Sequence, residues 1–214
     1  MYQPPHFREE DLATQHALIR AHPLGLLITA GPEGPTANLL PFHLAAEDGD
    51  MGLLQVHMAR ANTQWKEIAA GAPALVVFQG SDAYITPSWY ATKRETGKVV
   101  PTWNYATVQV RGTARVIEDP AWLRGQIEKL TGEHEERRAD PWAVGDAPDS
   151  FIAAQIKGIV GVEITITEMT GKWKASQNRP RADVAGVIGG LEQAGQPHAN
   201  AGMAALVRRY DERR

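Results

Sequence analysis

Arg60 and Asn62 stand where a strand pattern runs into a helix pattern, in "VHMARANTQWKE" (56–67), with His57 just upstream. A helix N-terminus offers free N–H groups and partial positive charge, which suits a phosphate. A guanidinium beside it can add bidentate, charge-assisted hydrogen bonds. The same residues also suit a capped helix with a solvated arginine. The segment is not a P-loop, because its glycines and Gly-Lys-Ser/Thr signature are absent.

Three further stretches hold polar or aromatic groups where plain packing would not need them. In "TANLLPF" (36–42), Asn38 interrupts an apolar strand next to Leu39 and Leu40, and Pro41 removes a ladder donor. The strand either turns free backbone groups toward a ligand or marks an edge or bulge. In "VVPTWNYATVQVRG" (99–112), Trp103, Asn104 and Tyr105 crowd a strand entrance, suggesting a flat ligand, a subunit contact or core packing. "GKWKASQNRPRAD" (171–183) is the densest basic run, with Lys172, Lys174, Arg179 and Arg181 around Ser176, Gln177 and Asn178. It fits an anionic cofactor, a nucleic-acid phosphate or a solvated loop.

Other chemistries find no residues. The chain has no cysteine, which excludes disulfides, thiolate nucleophiles and Cys-ligated metals. The seven histidines lack metal-ligand spacing, so no metal site is expected, and no Gly-x-Ser-x-Gly elbow is present. A net charge of −3 gives no global attraction for a polyanion, and no helix-turn-helix pattern stands out. The N-terminus shows no signal peptide and no apolar run long enough to span a bilayer, so a cytoplasmic protein is expected.

The elements that must position these residues read as a β-rich chain, and its 20 glycines and 14 prolines supply the turns. A helix is expected from Glu9 to Ala21, ended by His22-Pro23. Two apolar strands follow around Gly31-Pro32-Glu33-Gly34-Pro35, then a strand at 52–58 and a helix at 62–71 with Asn62 as N-cap. Separate strands are expected at 73–80 and 82–90, a polar loop at "ATKRETGK", and a long alternating strand from Trp103 to Ile117. Gly112 within it predicts a bulge or a close backbone approach. Asp119-Pro120 opens a helix to about Arg137, a second helix lies near 150–156, and a strand covers 159–173. The remainder reads as a loop followed by helices. One domain over 1–180 with a C-terminal helical extension, 181–214, is the economical division.

Taken in order, "MYQPPHF", "HPLGLLIT", "LPFHL", "VHMARANTQW", "AYITPSWY", "VPTWNYATVQVRG" and "KWKASQN" resemble the PaiB-type family of FMN-binding negative transcriptional regulators, across residues 1 to about 180. The resemblance implies a mainly β (α+β) fold: an antiparallel split β-barrel with peripheral helices, homodimeric, with FMN at the subunit interface. It further implies that Asn38, Leu39 and Leu40 lie beside the flavin ring and that Arg60 and Asn62 grip its phosphate, with His57 close by. Trp103, Asn104 and Tyr105 would stand near the flavin or the dimer seam, and Ser176, Gln177 and Asn178 would reach the partner's cofactor. The implied function is regulatory, through DNA, a protein partner or a metabolite. The competing class is an oxidoreductase passing electrons from NAD(P)H through FMN to a small acceptor, and no catalytic residue is assigned. Direct DNA contact would fall to the basic run and to Arg208, Arg209, Arg213 and Arg214.

Overall fold

The structure, a computed structural model, describes residues 1–213. After a short 3-10 turn, Pro5–Phe7, strand β1 (Arg8–Glu9) leads into helix α1 (Leu12–Ala21). The helix begins later than Glu9 because the Asp11 carboxylate accepts from the Thr14 backbone N–H at 2.9 Å and caps it there. β2 (Leu24–Gly31) and β3 (Gly34–Pro41) form the expected hairpin, in register from Leu24↔Pro41 to Gly31↔Gly34. β4 (His43–Ala45), β5 (Leu53–Ala59) and the six-residue helix α2 (Gln64–Ala69) follow.

The two strands expected at 73–80 and 82–90 are one, β6 (Ala74–Ile85). Its buried positions shift from Ala74, Val76 and Phe78 to Ala83 and Ile85, so the alternation slips by one residue without ending the strand. Pro87–Trp89 form a 3-10 turn, and part of the expected polar loop is helix α3 (Ala91–Glu95). β7 (Thr102–Ile117) is the long alternating strand. Helix α4 (Pro120–Glu135) starts where Asp119 accepts from the Ala121 N–H at 3.1 Å. α5 (Asp149–Lys157), β8 (Ile159–Lys174), α6 (Arg181–Glu192) and α7 (Ala201–Glu212) complete the chain.

The eight strands form one antiparallel sheet in the order β3-β2-β6-β7-β8-β5-β4, with β1 added to β8. Gly112 marks a close approach rather than a bulge: a Cβ there would fall 2.1 Å from the Thr165 carbonyl oxygen of β8.

The chain divides into two compact units, with β6, β7 and β8 contributing residues to both. The first comprises Met1–Gln15, Gln79–Val108 and Thr170–Arg214. Its core joins Ile85 and Tyr90 to Val184, Val187 and Leu191 of α6 and Met203 and Val207 of α7. Gly186 and Gly190 seat Trp89 against α6, since a Cβ on either would lie within about 2.2 Å of it. The second unit, His16–Phe78 and Gln109–Met169, buries Ile19, Leu27, Phe42, Leu54, Val76, Phe78 and Ile164 completely or nearly so. A smaller cluster of Leu123, Val144, Ile152 and Ile156 lies under α4 and α5.

Candidate functional site

In the second unit, Asn38 and Asn62 converge on Gln64, a residue with no sequence signal of its own. Gln64 is 1% exposed. Its Nε2 faces the Leu27 carbonyl at 3.1 Å, with Thr29 Oγ1 and the Thr36 carbonyl each at 3.2 Å. Its Oε1 accepts from Asn38 Nδ2 at 3.0 Å. Thr29 and Thr36 both donate to the Glu67 carboxylate. This network ties α2 to the β2–β3 hairpin and satisfies polar groups that burial would otherwise penalise. Asn62 does not cap a helix over 62–71; its Oδ1 accepts from the Gln64 N–H at 3.1 Å, one residue after the helix's N-cap Thr63. Leu39 points outward and is 61% exposed, while its neighbour Leu40 is half-buried.

Arg60 is engaged on three sides. It donates to Glu118 at 2.7 Å and to the carbonyls of Lys157 and Ile159, each at 3.2 Å. It lines a cleft of about 520 Å³ floored by Leu123 and Ile156. His57 sits elsewhere in this unit, its Nδ1 2.7 Å from Gln126 Oε1. In this amide orientation the oxygen accepts from the ring N–H. Gln126 Nε2 is buried without a hydrogen-bond partner.

In the first unit the "TWNY" block splits by strand alternation. Asn104 is 1% exposed and donates from Nδ2 to Ser176 Oγ at 2.9 Å. Ser176 is held at φ 64, a left-handed backbone that costs a non-glycine residue about 1–3 kcal/mol. Gln177 clamps the same loop, donating to the Trp173 carbonyl at 2.6 Å and accepting from the Ala175 N–H at 2.7 Å. Trp103 lies on the other face of β7 and is 53% exposed. With Tyr105 and Thr107 of β7 and Gln79 and Asp82 of β6 it lines a cleft of about 290 Å³. The Tyr84 ring meets Trp103 edge to face, with centroids 6.1 Å apart.

Much of the basic chemistry is internally engaged. The Lys172 ammonium is buried over the rings of Tyr2 and Tyr105, 5.4 Å from each centroid. Lys174 donates to Thr102 Oγ1. Its pKa is pushed below the usual lysine range by burial first, then by the charges of Lys172 and Arg179. Arg208 pairs with Glu192, Arg213 lies 3.5 Å from the Glu9 carboxylate, and Arg209 reaches Thr14 at 3.5 Å. Arg214 lies outside the described residues.

Of the expected site residues, the structure gathers Asn38 with Asn62 and Asn104 with Ser176, while His57 and Arg60 stand in separate hydrogen-bond systems. The aromatic cleft fits a flavin: an exposed indole and a phenol offer stacking surface, and Gln79, Asp82 and Thr107 offer polar groups for a ring edge. Gln64, Gln126 and Glu118 are additions that sequence spacing did not suggest. No group of three or more potential metal ligands occurs among the described residues, and no helix there is long and apolar enough to cross a membrane.

The antiparallel sheet of eight strands with flanking helices is the α+β split-barrel fold that the resemblance implies. It superposes on a conserved hypothetical protein from Mycobacterium tuberculosis with a TM-score of 0.58 at 14% identity, covering 84% of this chain and 94% of that one. A FAD- and heme-binding protein from Mycobacterium smegmatis gives 0.57 at 19% identity, covering 78% and 73%. Residues 1–168 match the family model described as "Putative FMN-binding domain", and the chain belongs to that family. It is 30% identical to protease synthase and sporulation protein PAI 2 of Bacillus subtilis, over 93% of each chain. An uncharacterised protein of Emericella nidulans is 37% identical, covering 91% of this chain and 92% of its own. FMN is accordingly the cofactor.

Proposed function

We propose that this protein is a cytoplasmic, FMN-binding homodimer that acts as a regulator, in transcription or metabolite sensing, rather than as an NAD(P)H-dependent oxidoreductase. The observation that carries this reading is the lining of the aromatic cleft. Bound FMN supplies a redox-active ring, and Trp103 and Tyr105 would stack on it. FMN's own phosphate must be held outside this cleft, and a nicotinamide dinucleotide over the ring would bring a further anion, a pyrophosphate, that needs cations or a helix N-terminus. Among the described residues, neither lysine nor arginine lines this cleft, and its one carboxylate, Asp82, repels an anion. The relative's name, tied to protease synthesis and sporulation, supports a regulatory role over a metabolic one.

The outer face of β2 and β3 supports the dimer reading. An antiparallel sheet open to water alternates apolar and polar residues. Here Leu24, Leu26 and Ile28 of β2 stand outward beside Ala37 and Leu39 of β3, with Leu24 57% and Leu39 61% exposed. The outward face of the hairpin is therefore apolar, while Thr29, Thr36 and Asn38 on its other face bond Gln64 and Glu67, and a second copy is the proposed cover. Regulation by direct DNA contact is disfavoured, because Lys172 is buried and Arg208 and Arg213 are already opposite carboxylates. A partner or a metabolite is the proposed intermediary.

Anaerobic mixing of the FMN-loaded protein with NADH and with NADPH tests the reading. Slow flavin reduction without sustained acceptor turnover is expected. Steady turnover on the order of ~10 per second, an ordinary enzyme rate, would transfer the protein to the oxidoreductase class.

A further inference from the structure

The face of β7 opposite Trp103 holds a second cavity, of about 110 Å³, whose lining includes Phe7, Thr102, Asn104, Lys174 and Ser176. A water molecule's share of the liquid is about 30 Å³, so the space suits about three to four non-hydrogen atoms, not a ring system. No carboxylate lines it among the described residues. Lys174 is held there by a neutral hydroxyl, that of Thr102. Burial works most against its ammonium form, and the positive charges of Lys172 and Arg179 add to this. Lys172, on the same strand, lies over the rings of Tyr2 and Tyr105 rather than against a carboxylate. Desolvation beside another cation keeps a lysine amine neutral and therefore nucleophilic.

Asn104 adds an independent sign. Its Nδ2 donates to Ser176 Oγ at 2.9 Å, and its Oδ1 is buried with no hydrogen-bond partner. An acceptor left so calls for an O–H or N–H donor. Addition of an amine to a carbonyl compound creates such a donor, because the carbonyl oxygen becomes a hydroxyl. Phe7 offers an apolar wall for the carbon chain of the same compound.

We propose that Lys174 is a carbonyl-reactive amine and that its cavity selects a small, uncharged aldehyde. The Nζ lone pair forms a C–N bond to the carbonyl carbon while the π pair of the C=O bond moves to oxygen. A proton passes from nitrogen to that oxygen, and the resulting hydroxyl donates to Asn104 Oδ1. The nitrogen lone pair then expels the hydroxyl, which takes the second amine proton and leaves as water. Amine and aldehyde thus become imine and water, with nothing oxidised or reduced, and hydrolysis reverses the step. Such capture is reversible, as sensing a metabolite requires, and is independent of where the flavin ring lies.

Propionaldehyde, small enough for the cavity, is the probe, with cyanoborohydride to fix the imine as a secondary amine. The whole protein is labelled briefly at pH 7, digested and mapped by mass spectrometry. Lys174 should be modified severalfold faster than the exposed Lys98 and Lys129 in the same sample, and the advantage should vanish in urea. Benzaldehyde, too large for the cavity, should label Lys98 and Lys129 but not Lys174. Asn104→Leu, which removes the acceptor, and Lys172→Met, which removes a neighbouring charge, should each slow labelling of Lys174 alone. Circular dichroism and the denaturation midpoint certify the fold of both variants. Labelling of Lys174 no faster than that of Lys98 and Lys129, or an advantage that persists in urea, overturns the reactive amine. Equal modification of Lys174 by both aldehydes overturns the cavity's selection, and a well-folded Asn104→Leu that labels like wild type removes Asn104 from the site.

Discussion

Asn104 of β7 reaches Ser176, 72 residues further along the chain, with a 2.9 Å hydrogen bond from its amide to the serine hydroxyl, both side chains almost fully buried. The serine stands at φ 64, where a side chain is strained and glycine is not. Two substitutions therefore separate strain from hydrogen bonding. Ser176→Ala keeps the strain and leaves the amide with a further unmet group, costing about 1–3 kcal/mol. Ser176→Gly loses the same hydroxyl but relieves the backbone, so it should be the milder change by roughly 1 kcal/mol. Urea denaturation of both variants checks the order; alanine as the milder one would mean the strain is not felt.

Arg60 is expected to serve the fold before the cofactor. Its guanidinium already bonds Glu118 and two carbonyls, those of Lys157 and Ile159. The ion pair is partly exposed and contributes little, about 0–1 kcal/mol, with the carbonyl bonds adding about as much again. Arg60→Ala should lose about 1–2 kcal/mol of stability while changing FMN and riboflavin affinity equally. Fluorescence titration with both flavins decides, because a loss confined to FMN would place the phosphate at Arg60 after all.

The sequence was a good guide to elements and a poorer one to side-chain partners, for a physical reason. Strand alternation at 103–117 and the Asp119-Pro120 helix start are local, and both are present in the structure. The slip in β6 at Gly80-Ser81 reads as a break, because turn-type residues look alike whether a strand ends or bulges. Local pattern does not show that Gln64 binds three segments or that Glu118 holds Arg60 from 58 residues away. Alternation did imply that Asn104 faces away from Trp103 and Tyr105, yet a compact motif invites reading its residues as one surface.

The outward leucine of β3 offers a direct test of the dimer. A buried leucine contributes about 1.5–3 kcal/mol, and two-fold symmetry counts each contact twice. Leu39→Glu should therefore weaken association at least about a hundredfold and raise solubility of the separated chains. Sedimentation equilibrium at micromolar concentration should move from twice 23.4 kDa for wild type toward 23.4 kDa for the variant. A wild type that sediments as a monomer, or a variant that stays dimeric, would put the interface elsewhere or nowhere.

Acid should weaken the second unit through Glu163. Its carboxylate accepts from Gln55 at 2.9 Å on the neighbouring strand and from Arg115 Nε at 2.8 Å. Burial pushes its pKa up, but the hydrogen bonds from Gln55 and Arg115 outweigh it and hold the group below the usual glutamate range. A carboxyl with a folded pKa below its unfolded value near ~4.3 binds fewer protons when folded. Its stabilisation is thus complete above that unfolded value and is lost as pH falls through the lower, folded one. Glu163→Gln cannot ionise, so it should be less stable than wild type at pH 7, with the gap closing as pH drops from about 5 to 3. Urea midpoints measured across that range test the sign. A gap that stays constant with pH would show that the carboxylate's charge contributes nothing and that only its shape and hydrogen bonds matter.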